Sequence, residues 1–142
     1  MGPLITRFFS IVALIVVSHS SLALVVVVGK GNTLDSLSKT QVIDIYMGRY
    51  NTFPNGVVAK PLDRTTGSNE KQQFYQLLVN KSEEKINAYW ARLLFSGRAS
   101  PPSNFPSNDE MLDELRRSDK AIGYVLESEV DDSLKVVYRF EE

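Results

Sequence analysis

The sequence contains no cysteine. That removes disulfides, thiol nucleophiles, thiolate metal sites and lipid-modified cysteine anchors together. It has a single histidine, His19, and this falls in a segment that reads as a cleaved secretory signal, residues 1–23. Arg7 precedes an apolar core from Phe8 to Val17, and Ser21-Leu22-Ala23 places small residues where a signal peptidase needs them. The apolar run is too short to span a bilayer comfortably, and an uncleaved amphipathic anchor fits the well-placed cleavage site less well. The processed chain, 24–142, then has neither histidine nor cysteine, which excludes Ser-His and Cys-His nucleophilic systems and most zinc sites. A charge excess is also missing. Sixteen Lys and Arg, less Arg7, face seventeen Asp and Glu, so no basic surface for nucleic acid is expected. Without disulfides, stability rests on the core of one ordinary domain.

What is present alternates between strand and helix patterns. Leu24 to Gly29 is an aliphatic run suited to a strand buried on both faces. Ser38-Lys-Thr-Gln41 is a capping box, with Leu37 and Val42 placed as a staple, and opens a short helix that Gly48 ends. After the turn cluster Asn51 to Gly56, Val57 to Leu62 reads as a strand and Glu70 to Val79 as a helix with Phe74, Leu77 and Leu78 on one face. Ser82 starts a further helix carrying Ile86, Tyr89, Trp90, Leu93, Leu94 and Phe95, the heaviest apolar face in the chain, expected to be core. Arg98 to Pro106, with three prolines, is expected to hold no regular structure. Ser107-Asn-Asp-Glu110 reads as a second capping box, opening another short helix through Met111, Leu112 and Leu115. Ala121 to Val125 and Leu134 to Tyr138 read as strands, Gly123 marking close approach of another backbone. The acidic cluster Glu127 to Asp132 between them reads as solvated. The pattern argues one α/β domain with a mixed or largely parallel sheet flanked by helices.

Pro61 to Tyr75 organises the rest. A strand passing through a Gly- and Ser-containing turn into a helix presents unpaired backbone N–H groups and a partial positive charge, which suit an anion. Arg64 would add a planar, permanent cation. The candidate oxyanion-binding residues are therefore Arg64, Thr65, Thr66, Gly67, Ser68, Asn69 and Glu70. The same residue types serve ordinary helix capping, so capping alone also accounts for them. Chemistry is not legible: Glu83 and Glu84 are adjacent on a helix and face apart, and Asp63 is better placed to orient Arg64 than to act as a base. Gly29-Lys-Gly31 is too short for a nucleotide phosphate loop, and no catalytic residue, metal site or cofactor is expected.

Several pieces in order resemble a known family. They are Ile45-Tyr-Met-Gly-Arg49, Phe53-Pro-Asn-Gly56, Pro61-Leu-Asp-Arg64 with Ser68, Phe74-Tyr75, Tyr89-Trp90, Leu94-Phe95-Ser-Gly-Arg98 with Pro101-Pro102, and Ala121-Ile-Gly-Tyr-Val125. Together they are similar to the substrate-binding proteins of phosphate ABC transporters, of the type 2 periplasmic binding-protein superfamily. More closely, they resemble the short secreted members named after them. The resemblance covers almost all of 24–142 and matches the second of the family's two lobes only. It implies a single α/β lobe, a periplasmic location, and an Arg and Ser-Gly-Thr phosphate site onto which Arg64 and Ser68 map. Asn69 and Glu70 stand where glycine and threonine are usual, and a carboxylate at Glu70 would repel a dianion. The implied function is a secreted module binding phosphate or a similar oxyanion, weakly for want of a second wall, with a transporter, a sensor or a second copy as possible partner. The alternative is an accessory or sensory interaction domain that kept the fold and lost the ligand.

Overall fold

The computed structural model describes residue 2 and residues 23–140. Nearly all of the expected signal, with Arg7 and His19, lies outside the described residues. The elements run β1 (Leu24–Gly29), α1 (Lys39–Tyr46), β2 (Lys60–Arg64), α2 (Asn69–Val79), α3 (Glu83–Ser96), β3 (Ser103–Phe105), α4 (Asn108–Arg117), β4 (Ala121–Leu126), a 3-10 turn (Glu127–Glu129) and β5 (Leu134–Arg139). Among the described residues no helix is long and apolar enough to cross a membrane.

The five strands form one mixed sheet in the order β3-β2-β4-β1-β5. β2 is parallel to both β3 and β4, whereas β1 is antiparallel to β4 and to β5. β1 is buried along its whole length, as its unbroken aliphatic run requires. Its side chains alternate between two cores. Leu24, Val26 and Val28 join Val42, Ile45, Phe74, Leu78, Ile86 and Trp90 under α1, α2 and α3, while Val25 and Val27 join Leu62, Met111 and Leu115 under α4. Each such aliphatic side chain contributes about 1.5–3 kcal/mol on burial. The result is a helix, sheet and helix sandwich of three layers.

Local signals explain the helix starts. Ser38 accepts from the Gln41 N–H and the Gln41 side chain answers the Ser38 N–H, closing the capping box; Ser68, Ser82 and Ser107 each cap the N–H three residues on. Three expectations need correcting. Val57 to Ala59 fold back onto Asn51 to Phe53, through a Thr52–Val58 bridge and the Ala59 N–H to Asn51 carbonyl bond, so β2 starts only at Lys60. Within the proline-rich stretch, Ser103 to Phe105 pairs in parallel with Leu62 to Arg64. The prolines at 101, 102 and 106 bracket this short edge strand without interrupting it. Close backbone approach occurs at Gly29, where a Cβ would meet the Leu115 carbonyl oxygen at 2.2 Å; Gly123 instead lies against the Leu115 and Met111 side chains.

Candidate functional site

Parallel strands β2, β3 and β4 all end on the same edge of the sheet, the edge on which open α/β sheets place ligands. The segments leaving them carry Thr65 to Ser68 into α2, Pro106 to Asn108 into α4, and Glu127 to Glu129. Adjacent residues of a strand point to opposite faces, so the end of β2 sends Asp63 one way and Arg64 the other.

Asp63 is buried toward α2. The Tyr75 hydroxyl donates to its carboxylate at 2.6 Å, the Tyr124 hydroxyl at 2.5 Å, and the Arg64 backbone N–H at 2.8 Å. Asp63 therefore does not orient the Arg64 guanidinium, as the sequence suggests it would; it receives only that residue's backbone. Burial, reinforced by the Asp63 charge, holds the phenols of Tyr46, Tyr75 and Tyr124 well above the usual tyrosine range. The Phe74 and Tyr124 rings stack at 3.9 Å beneath this cluster. Lys71, itself buried, holds its ammonium 3.8 Å from Asp63 and 3.7 Å from Glu83. It also lines a cleft of about 250 Å³ with Asp63, Thr66, Asn87, Trp90 and Asn104.

Arg64 turns toward α4 and is only 7% exposed. Its Nη2 donates to the Asn108 side chain at 2.6 Å and to the Tyr124 carbonyl at 3.2 Å, its guanidinium lies 5.8 Å from the Tyr124 ring centroid, and its Nε is buried without a partner. Among the described residues no carboxylate lies within ion-pair distance of it. Glu129 is one link away: it accepts from the Asn108 side chain and from the Leu126 N–H.

Between these groups runs the turn. Thr65, Thr66 and Gly67 are exposed and Ser68 is half-buried. Gly67 takes φ +87°, a left-handed conformation for which glycine is suited. Ser68 is the N-cap of α2, its hydroxyl accepting from the Lys71 N–H at 3.2 Å. Asn69 is exposed and Glu70 half-buried in the first turn. The Gly67 N–H is already engaged: both oxygens of Glu83, from the start of α3, lie 3.1 Å from it. The seven candidate residues thus share one edge, but the guanidinium of Arg64 sits on the α4 face of the sheet.

Sequence reasoning missed Lys71, Tyr75, Tyr124, Asn108 and Glu129. Lys71 was within reach of it: positions 71, 74, 75 and 78 form one helical stripe, and all four are buried, whereas Leu77 is 37% exposed. Nor is the acidic cluster merely solvated. Glu127 pairs with Arg139, Glu129 with Asn108, and Asp131 with Arg116. The apolar face of α3 is only partly core, since Leu94 is 54% and Phe95 97% exposed.

Neither a family profile nor a curated protein matches the sequence. Solved structures do match in fold. A Clostridium perfringens structure described as a phosphate ABC transporter substrate-binding protein with bound phosphate superposes with a TM-score of 0.65 at 21% identity, over 82% of this chain and 46% of that one. An ABC-type phosphate transport receptor from Vibrio cholerae gives 0.64 at 20% identity over 82% and 47%, and PstS from Borrelia burgdorferi 0.62 at 15% over 81% and 46%. The chain spans under half the length of each. It has the mixed α/β fold found in these phosphate-transport binding proteins, over about half of their length.

Proposed function

We propose that residues 24–142 form a secreted, periplasmic solute-binding module for phosphate or a similar small oxyanion, equivalent to the second lobe of the two-lobed binding proteins. The anion would lie at the C-terminal edge of β2, against Arg64, Thr65, Thr66, Gly67, Ser68, Asn69 and Glu70. One observation carries this reading: Arg64 is a buried cation with an unpartnered Nε and no carboxylate within ion-pair distance among the described residues. A buried charge is costly unless compensated, and an oxyanion beside the start of α2 would supply the compensation. Its guanidinium must then turn from Asn108 toward the turn, or the anion must reach it through the Ser107 and Asn108 end of α4. Binding is weak, because Thr65, Thr66, Gly67 and Asn69 are exposed, so water screens an anion held at the turn, and the described chain supplies no second lobe to close over it. A transporter, a sensor or a second copy would supply that wall. The reading involves no catalysis.

Calorimetric titration of 24–142 with phosphate and then sulfate tests it. Saturable binding lost in Arg64→Ala is expected; absence of heat at millimolar phosphate contradicts it. A second reading, an accessory or sensory interaction domain, is favoured by the exposed Leu94 and Phe95 at the end of α3. Under that reading Arg64→Ala changes nothing but stability, and Phe95→Ser abolishes partner binding.

A further inference from the structure

Glu83 is placed where a ligand of the turn would be. It is the first residue of α3, sixteen positions from Gly67, yet both of its carboxylate oxygens lie 3.1 Å from the Gly67 N–H. The carboxylate is held from behind by Lys71 at 3.7 Å, and Lys71 is fixed in turn by Asp63 at 3.8 Å. Asp63 is itself anchored by the Tyr75 and Tyr124 hydroxyls. The contact is therefore the outer end of a buried chain of groups. A surface side chain at random would not be held so: the Glu83 side chain is only 11% exposed and that of Lys71 only 6%.

Resting on the oxyanion reading above, we propose that Glu83 is an internal competing anion, and that an oxyanion enters the turn only by displacing its carboxylate from Gly67. The two cannot share the site. The Gly67 N–H has one hydrogen to give, and a second anion brought to the same donor is repelled by the first. Lys71 cannot serve both, because Asp63 and Glu83 already flank it. Glu83 thus sets the threshold concentration at which the turn fills, and a partner that draws Glu83 or the start of α3 aside would switch the site to a higher affinity.

The test is calorimetric titration of 24–142 with inorganic phosphate, comparing wild type with Glu83→Ala, Glu83→Gln and Glu84→Ala. Glu84 is the exposed neighbour of Glu83, so its removal changes net charge equally while leaving Gly67 engaged. Removing a charge-assisted contact of this kind is expected to tighten phosphate binding at least tenfold in Glu83→Ala and leave Glu84→Ala within about twofold of wild type. If the alanine variant fails to fold, Glu83→Gln, which keeps the shape and loses the charge, is expected to show the same direction. Wild-type binding that Glu83→Ala and Glu83→Gln leave unchanged overturns the proposal and spares the oxyanion reading. Equal tightening in Glu84→Ala also overturns it, as a general charge effect. No binding by any of the four proteins overturns both.

Discussion

Asp63 shows how much one side chain can be asked to hold. It is a buried carboxylate receiving two phenols, a backbone N–H and, at longer range, an ammonium. Asp63→Asn keeps the shape but removes the charge that faces Lys71 and turns one acceptor into a donor. Breaking a buried hydrogen-bonded charge network costs about 3–5 kcal/mol, and urea denaturation followed by far-UV circular dichroism is expected to show a loss of that order. The same cluster sets an alkaline limit. Because the folded pKa values of Tyr46, Tyr75 and Tyr124 are raised above the unfolded one, their contribution is complete below the unfolded value, about pH 10, and is lost as pH climbs above it. Spectrophotometric titration is expected to show three of the six tyrosines ionising only together with unfolding. At the acid end the sign is reversed. Hydrogen bonding from Arg117, with Lys60, holds the Glu114 carboxyl below the usual range, so its contribution is present above the ordinary carboxylate value and fades as pH falls through the lowered one.

At the level of elements, the capping signals are the most legible part of the sequence, because a cap is a local arrangement: the hydroxyl and the N–H that it accepts lie three residues apart. Ser38, Ser82 and Ser107 accept where the sequence places a helix start, and Ser68 accepts one residue ahead of the start expected at Glu70. What a helix presents beyond its first turn is less legible, since it depends on which neighbour arrives. The stripe on α3 runs out of partners before its end, leaving Phe95 almost wholly exposed. Phe95→Ser is accordingly expected to change stability by no more than about 0.5 kcal/mol, by thermal denaturation. The reverse holds at the junction of β1 with α4. A Cβ at Gly29 would lie 2.2 Å from the Leu115 carbonyl oxygen, a backbone atom that cannot swing away. Gly29→Ala is expected to cost about 1–3 kcal/mol by pushing α4 off the sheet.

For the whole molecule, the alternation of strand and helix and the doubly buried β1 are legible because periodicity and composition encode them. The sheet order is not, since it depends on pairings across the full chain: β1 lies between two strands from the C-terminal part, β4 and β5. For the same reason β3 is invisible in a proline-rich stretch. Its three residues are made a strand by the edge of β2 and by nothing local. The site is half legible in the same sense. Thr65 to Glu70 lie together because they are contiguous, but the charged groups beside them, Lys71 and Glu83, come from α2 and α3, and the groups that hold Arg64, Asn108 and beyond it Glu129, come from α4 and the turn after β4. The segments leaving three parallel strands, together with the start of α3, bring them to one edge, and that juxtaposition exists only in the folded chain.

Whether this edge takes up an oxyanion is decided by following backbone amide resonances of 24–142 during a phosphate titration. Saturable shifts concentrated at Thr66 to Glu70 are expected, with Gly67 among the largest as Glu83 leaves it. Shifts scattered over surface lysines, or no shifts at Thr66 to Glu70, would contradict that uptake and leave the turn as the helix cap that its sequence equally allows.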